Sequence, residues 1–328
     1  MRVTIRGGDG SAEHHAGGPA DRHGSDALVY GSDDELVEVA VPFLRAGLDG
    51  GEAVALLCAQ PRATLLAGAV GEHPRLTVLS PPRGWRRPIE ALQDDQRLIE
   101  EGVAAGRRVR IVADSDFGPG PVDWSEWARF EAVAHHAARA YPVSRLCLLD
   151  RRQAPPEVLA ASGRLHPARY EHGVRVPSRT YAEPAENVRR DAYVGHDPMT
   201  DLPPTIRAEE LTAADLAVLR HSVTAELDRR GVPPWRVHEF IVAVSEIVAN
   251  ALRHGRPPVR ARLWSTARRV LCTVTDTGAG FDYPLSGYLP VEQGRAGLGL
   301  YLSRQLADQV NICWTPDGFT VRLALVLP

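Results

Sequence analysis

The sequence of 328 residues contains no lysine, and all 38 of its basic residues are arginine. A Walker A phosphate-binding loop, a eukaryotic-type protein kinase fold and Schiff-base chemistry each depend on a lysine amine. The absence of lysine therefore excludes these three classes of site. Any fixed cation that meets an anionic ligand in this protein must be an arginine.

Long apolar runs, signal sequences and clustered cysteines are also missing. No apolar run approaches the ~20 residues that span a bilayer, and no signal peptide precedes the first predicted domain. The four cysteines lie far apart in predicted strands, so we expect buried free thiols and neither disulfides nor a metal site: Cys58, Cys147, Cys272 and Cys313. The net charge of −3 gives no reason to expect nucleic-acid or membrane binding. These features favour a cytoplasmic protein.

Length and composition favour two globular domains. Residues 1–25 are rich in Gly, His, Asp and Ser without apolar periodicity, and this predicts a disordered tail. Residues 26–172 form the first predicted domain and residues 206–328 the second. Between them, the proline-rich segment 173–205 predicts an interdomain linker.

Helical and strand patterns alternate in the first domain. Helices are predicted over 33–47, 61–69, 88–105 and 124–140, and strands over 52–58, 76–79, 107–113 and 143–149. The first helix has Ser32 or Asp33 near its N-cap and Gly47 near its end. Such alternation predicts βαβ units, and therefore an α/β domain with a mostly parallel sheet covered on both faces.

Several segments of this domain resemble the MEDS sensory family of methanogen and methylotroph regulators: VPFLRAGLDGGEAVALL, VRIVAD, WARFEAVAHHAARAYPVSRLCLLD and LHP. The resemblance implies a RecA-like core and an unknown sensory ligand. The turn after the first strong strand, AQPRATLL, lacks phosphate-cradling glycines, so we expect no P-loop. A ligand site should lie at the carboxyl ends of the strands, near Asp114, Asp116 and Asp150, with Glu131 on a nearby helix. Turn or cap roles are the alternative for these acids.

Three motifs follow one another in the second domain: SEIVANALRHG, DTGAGF at 276–281 and GRAGLGL at 294–300. Glu246 and Asn250 in the first motif are four apart on a predicted helix over 234–254 and share a face, where they can hold a divalent cation. Asp276 then opens a Gly-x-Gly turn. The last motif runs into a helix whose free N–H groups suit phosphates. Together these parts predict a nucleotide pocket.

The three motifs resemble the N, G1 and G2 boxes of the GHKL ATPase superfamily. The resemblance implies an α+β two-layer sandwich of the Bergerat type that binds ATP and Mg²⁺. It makes Asn250 the Mg²⁺ ligand and Glu246 the general base, while Asp276 accepts a hydrogen bond from the adenine amine. Gly278 and Gly280 let the backbone lie against the base.

The resemblance assigns the phosphates to the second glycine-rich loop and the helix after it: Gly294, Arg295, Gly297, Leu298 and Gly299. Residues 282–293 form a short ATP lid, and Arg295 or Arg304 is the candidate cationic phosphate partner. The family carries a Gly-Thr pair near adenine, whereas Phe319 separates Gly318 from Thr320 in this chain. We still expect Thr320 to support the contact between Asp276 and adenine.

Within the superfamily the short spacing is most similar to the anti-sigma-factor serine kinases. This likeness implies a transcription regulator, as in stress responses, that binds a sigma factor and phosphorylates a serine on a STAS-type antagonist. A homodimer is consistent with it. A non-catalytic, ATP-gated switch for protein binding remains open. A sensor histidine kinase that uses His221 is disfavoured, because the short, proline-rich linker leaves no room for dimerisation helices.

Overall fold

The computed structural model describes residues 24–79, 88–115, 117, 121–192, 196–280, 285–288 and 298–327. In these residues two sheets form, one from each half of the chain.

The first sheet has seven strands. They are β1 (Gly24–Tyr30), β2 (Ala53–Leu57), β3 (Leu76–Leu79), β4 (Val109–Asp114), β5 (Val143–Asp150), β6 (Ala168–Glu171) and β7 (Val174–Pro177). Their order is β3-β2-β4-β5-β1-β6-β7, and every neighbouring pair except β6–β7 is parallel. The predicted α/β domain with a mostly parallel sheet is confirmed.

Helices cover both faces of this sheet. They are α1 (Asp33–Asp49), α2 (Arg62–Val70), α3 (Pro88–Ala104), α4 (Pro121–Ala138), α5 (Pro156–Leu165) and α6 (Pro184–Ala192). The side chains of adjacent β1 residues point to opposite faces of the sheet. Leu28 packs in the core beneath α1 and α2, and Ala27 packs in the core beneath α4 and α5. All eight residues of β5 are buried, as a strand covered on both sides requires.

Most predicted elements differ from the observed ones by one to three residues at an end, and three further differences bear on the fold. Helix α1 is capped by Ser32, as expected, but it continues past Gly47 to Asp49. Gly47 is needed inside the helix for packing, because a Cβ there would lie 2.6 Å from Arg110 Cδ. Gly24 and Ser25 of the predicted tail belong to β1, and residues 1–23 lie outside the described part. The predicted linker 173–205 contributes β7 to the sheet and also contains α6.

The second sheet is antiparallel and has five strands: β8 (Ile206–Ala208), β9 (Arg260–Ser265), β10 (Arg269–Asp276), β11 (Gln309–Thr315) and β12 (Gly318–Val326). Their order is β11-β12-β10-β9-β8. Helices α7 (Leu216–Arg229), α8 (Pro234–His254) and α9 (Leu298–Leu306) share one buried apolar cluster with β9, β10 and β12. This α+β arrangement matches the expected class, and α8 has the bounds that the sequence predicted.

Contacts also join the two halves of the chain. The Gln93 amide of α3 donates to Gln305 Oε1 of α9 at 2.6 Å, and Leu285 and Tyr288 lie in one apolar cluster with Trp127 of α4. Arg269 of β10 pairs with Asp197 of the predicted linker at 2.7 Å. Within the described ranges no helix has the length and apolar character needed to cross a membrane.

Candidate functional site

Helix α8 places Glu246 and Asn250 at the edge of its buried face. Val244, Ile247 and Val248 are buried against the sheet, whereas Glu246 and Asn250 are half-buried. Neither of these two side chains hydrogen-bonds another residue in the part of the chain that the structure describes. Both polar groups therefore remain available to a ligand.

Gly299, in the first turn of α9, lies directly against both side chains. A Cβ at this position would be 2.8 Å from Glu246 Oε2 and 2.9 Å from Asn250 Nδ2. The Ser303 hydroxyl reinforces this approach, since it lies 2.8 Å from the Gly299 carbonyl and 3.2 Å from the Ala243 carbonyl of α8. The structure thus brings parts of the first and third motifs together, and glycine is needed for their closeness.

Asp276 ends β10 with a carboxylate that is only 4% exposed. Its Oδ1 accepts hydrogen bonds from the backbone N–H of Gly278 at 2.7 Å and of Arg256 at 3.1 Å. Its Oδ2 accepts none from the residues described. Two backbone donors therefore fix the carboxylate and leave one oxygen free to accept a hydrogen bond from a ligand.

Gly255, directly after α8, is a site residue that was not named as one from the sequence. Its φ of −81° and ψ of −169° are extended, a conformation open to any residue. Its importance lies in packing, because a Cβ there would come within 2.5 Å of Asp276 Cγ. The sequence signal for this residue was its place at the end of the first motif, RHG. Only the fold shows that Gly255 packs against Asp276.

The DTGAG turn rests on the hairpin of β11 and β12. Gly280 has a φ of 71° and lies against the Phe319 ring, 2.3 Å from where a Cβ would be, so both backbone and space require glycine. The Trp314 indole donates to the Ala279 carbonyl at 3.2 Å and packs edge-on against Phe319. Phe319 is thus a second contributor that the sequence analysis did not identify.

Thr320 does not lie where the sequence prediction placed it. Phe319, and not Thr320, pairs across the sheet with Asp276. Because successive strand residues point to opposite faces, the Thr320 side chain lies on the other face of the sheet from Asp276. Its hydroxyl is 2.8 Å from Thr275 Oγ1 and 3.2 Å from Thr315 Oγ1. The inserted Phe319 accounts for the change of face, and Thr320 has a structural role.

The segment predicted to bind phosphate is described only in part. Gly294, Arg295 and Gly297 lie outside the described residues, as does Phe281. Leu298 begins α9 and is exposed. Of the predicted lid, residues 285–288 are described, and Leu285 and Tyr288 are buried in the same apolar cluster as helices α4 and α5.

Arg304 is not positioned as a phosphate partner. It is 7% exposed, its Nη1 donates to the Val310 carbonyl at 2.6 Å, and its guanidinium lies 3.6 Å from the centre of the Tyr288 ring. Burial lowers its pKa from the ordinary arginine value. Arg304 therefore anchors Tyr288 of the predicted lid to α9. His221 is exposed, and so are Arg253 and His254 at the end of α8.

The acids expected near a sensory ligand serve mainly as structural partners. Asp114 accepts from the Ala59 N–H and from Arg62 Nε, both at 2.8 Å, and Asp150 accepts from the backbone and side chain of Arg152. These bonds agree with the alternative turn and cap roles. Asp116 lies outside the described residues, and Glu131 belongs to a separate buried cluster.

Comparison with known families gives one match in each half of the chain. Residues 210–325 match the family model of the histidine kinase-like ATPase domain. Residues 26–167 match that of MEDS, the MEthanogen/methylotroph, DcmR Sensory domain. No curated protein matches the chain significantly. The chain therefore carries a MEDS domain followed by a histidine kinase-like ATPase domain, and such a domain implies the use of ATP.

Proposed function

We propose that this protein is an ATP-dependent anti-sigma regulator that phosphorylates a serine on a STAS-type antagonist. The observation that carries the proposal is the meeting of Glu246, Asn250 and Gly299 in one place. That arrangement sets a carboxylate and a carboxamide beside the N-terminus of α9, where backbone N–H groups favour phosphate.

The residues present fit ATP and Mg²⁺. Asn250 offers a carboxamide oxygen, and Mg²⁺ is usually held by one or two protein oxygens together with waters and substrate phosphates. The free Oδ2 of Asp276 suits the exocyclic amine of adenine, a donor that guanine lacks at this position. When bound, Mg²⁺ would neutralise charge on the phosphates.

Glu246 acts as the general base of the proposed phosphotransfer. It takes the proton from the attacking serine hydroxyl, whose oxygen forms a bond to the γ-phosphorus while the bond to the β-phosphate oxygen breaks. ADP leaves, and the proton stays on the Glu246 carboxyl until it passes to water. Because Glu246 has no hydrogen-bond partner among the described residues, its carboxylate is free for this task.

The partners rest on the likeness to the anti-sigma serine kinases, that is, on the order of the three motifs and the short lid. In this proposal the ATPase domain binds a sigma factor, and the antagonist is its phosphorylation substrate. A homodimer formed through the ATPase domain is part of the same proposal.

The sensory domain acts on the lid. Tyr288 and Leu285 of the lid lie in one buried cluster with Trp127 and Val133 of α4, and Arg304 stacks on Tyr288. A ligand-induced shift of α4 would therefore change the lid and with it ATP retention. This contact equally supports the second candidate, a non-catalytic switch in which ATP binding alone gates the protein partner.

Transfer of the γ-phosphate from labelled ATP to an STAS protein encoded beside this chain tests the proposal. Acid-stable phosphoserine is the expected product, and Glu246→Gln should lose transfer while keeping ATP affinity. Glu239→Gln is the matched control, since Glu239 is a half-buried acid of the same helix that pairs with Arg236 at 3.0 Å.

The alternatives give different results. Sigma-factor binding that depends on ATP and survives Glu246→Gln, with no labelled antagonist, identifies the switch. Acid-labile label on this chain identifies a histidine kinase and contradicts the proposal.

A further inference from the structure

Four metal-ligating side chains converge in the interior of the sensory domain. Glu131 and His135 are four apart on one face of α4, Cys147 lies on β5, and His166 follows α5. One ligand atom from each lies within 4.8 Å of the others, and all four residues are buried. A metal site at a cysteine was not expected from the sequence, because these four residues are far apart in the chain and only the fold brings them together.

The contacts of Glu131 are close to the separations of a tetrahedral site, and the widest of the four-atom separations is within 4.8 Å. Zn–N bonds of about 2.0 Å and one Zn–S bond of about 2.3 Å imply distances of about 3.3–3.5 Å between ligand atoms. Glu131 Oε2 lies 3.3 Å from Cys147 Sγ and 3.3 Å from His135 Nε2. Its distance to His166 Nε2 is 3.9 Å. Small side-chain adjustments would therefore suffice to place one ion among the four atoms.

Outer hydrogen bonds orient both imidazoles for metal binding. His135 Nδ1 lies 2.9 Å from the Leu165 carbonyl, and His166 Nδ1 lies 2.9 Å from the Ser162 carbonyl. A carbonyl oxygen only accepts, so each Nδ1 carries a proton, which leaves Nε2 as the nitrogen of each ring that can bind a metal. Histidines that bind a metal through one ring nitrogen usually donate a hydrogen bond from the other nitrogen in this way.

His166 Nε2 is a buried polar atom without a partner. The residue has no exposure to solvent, and this nitrogen makes no hydrogen bond among the residues described. His135 Nε2 lies 2.6 Å from the Ser25 hydroxyl oxygen, and Cys147 Sγ donates to Glu131 Oε2 at 3.3 Å; metal binding would replace both bonds. Two imidazole nitrogens, a sulfur and a carboxylate oxygen thus surround one point, where a cation can bind all four.

Charge balance favours a divalent ion. Arg145 pairs with Asp95, and its Nε also donates to Cys147 Sγ at 3.4 Å. The charges of Arg145 and Asp95 cancel each other. The Glu131 carboxylate and a Cys147 thiolate together carry two negative charges, which a dication would cancel. As the metal–sulfur bond forms, the S–H bond breaks and the proton passes to bulk water.

We propose that Glu131, His135, Cys147 and His166 bind one Zn²⁺ ion in the core of the sensory domain. Mixed nitrogen, sulfur and carboxylate ligands in four-coordinate geometry suit Zn²⁺ better than Mg²⁺ or Ca²⁺, which take oxygen ligands. Four protein ligands leave no open position, so the ion joins α4 to β5 and to the end of α5. The proposal is independent of the kinase activity.

Cobalt substitution of the full-length protein tests this site. Metal-free, reduced protein should bind one Co²⁺ per chain with a thiolate-to-cobalt charge-transfer band and the intense visible bands of tetrahedral Co²⁺. Zn²⁺ should remove these bands and raise Tm, because it binds only the folded state. Cys147→Ser should lose the charge-transfer band, and His166→Gln should weaken Co²⁺ binding at least tenfold.

Cys272→Ser is the matched control, because Cys272 is also a buried strand thiol but lies in the apolar core of the other domain. It should keep the full cobalt spectrum. Absence of a thiolate band in the wild-type protein overturns the proposal, even if the histidines near the N-terminus bind Co²⁺. An unchanged band in Cys147→Ser overturns it as well. Should Cys147→Ser fail to fold, the wild-type spectrum and its Zn²⁺-dependent Tm decide alone.

Discussion

Replacing Gly299 by alanine tests the convergence of the first and third motifs. The new methyl group would lie 2.8 Å from Glu246 Oε2 and 2.9 Å from Asn250 Nδ2, whereas ordinary contact begins at 3.4 Å. Both side chains are half-buried at the helix edge, so they can swing away without disturbing the core. The methyl group would thus displace the proposed base and the proposed Mg²⁺ ligand together.

The effects on folding and on binding should have opposite signs. Alanine is more favourable than glycine inside a helix by about 0.5–1 kcal/mol, which offsets the crowding of two movable side chains. Displacing a catalytic group by about 1 Å can lower the rate about a hundredfold. We therefore expect an unchanged or slightly raised Tm, at least about tenfold weaker ATP binding, equivalent to about 1.4 kcal/mol, and a larger loss of phosphotransfer.

Calorimetric titration with ATP and Mg²⁺, together with thermal unfolding, measures both effects. Gly68→Ala is the matched control, because Gly68 lies inside α2 and a Cβ there would meet nothing within 4 Å. That variant should gain stability and keep its ATP affinity. Wild-type ATP affinity in Gly299→Ala would refute the proposed contact of Glu246 and Asn250 with the ligand.

Three further perturbations probe other parts of the account. Gly255→Ala should weaken ATP binding in calorimetry, since its Cβ would come within 2.5 Å of Asp276 Cγ; unchanged affinity would contradict the packing role of Gly255. Tyr288→Ala removes a buried ring stacked on Arg304 and should lower the free energy of unfolding by about 3 kcal/mol in denaturant titrations. A loss as small as that of a surface substitution would argue against the packing of the lid on the sensory domain. Burial raises the pKa of Asp150, but hydrogen bonds from Arg152 outweigh it and leave that pKa below its ordinary value. The associated stability is therefore complete above the unfolded-state pKa and is lost as pH falls through the folded-state pKa, so Asp150→Asn should flatten the acid side of the stability–pH curve.

The periodic elements of the fold were accessible from the sequence. Helix α8 has a regular apolar repeat and two prolines at its start, so its bounds followed from local signals. Strand β2 was recognisable as a continuous apolar run, AVALL. Strands β6 and β7 are only four residues long, and β6 joins the sheet through β1, which is far away in the chain. The same reasoning could therefore not find them.

In the candidate site, too, local spacing was predictable from the sequence, whereas contacts between distant segments were not. The pairing of Glu246 with Asn250 follows from helical spacing alone, but their contact with Gly299 joins two helices that are distant in sequence. Thr320 was misplaced because a single inserted residue, Phe319, reverses the face of a strand. Arg304 was a plausible phosphate partner by position, and only the three-dimensional packing shows its guanidinium on Tyr288.

Binding of ATP to the full-length chain and to Asp276→Asn, measured by calorimetry, tests the central claim most directly. The amide of Asp276→Asn would present a donor in place of the free Oδ2, and hydrogen bonds to charged groups contribute about 1.5–3 kcal/mol. The account predicts saturable, Mg²⁺-dependent ATP binding by the wild type, much weaker GTP binding, and roughly tenfold to hundredfold weaker ATP binding by the variant. No ATP binding by the wild type, or equal affinity in the two proteins, would contradict it.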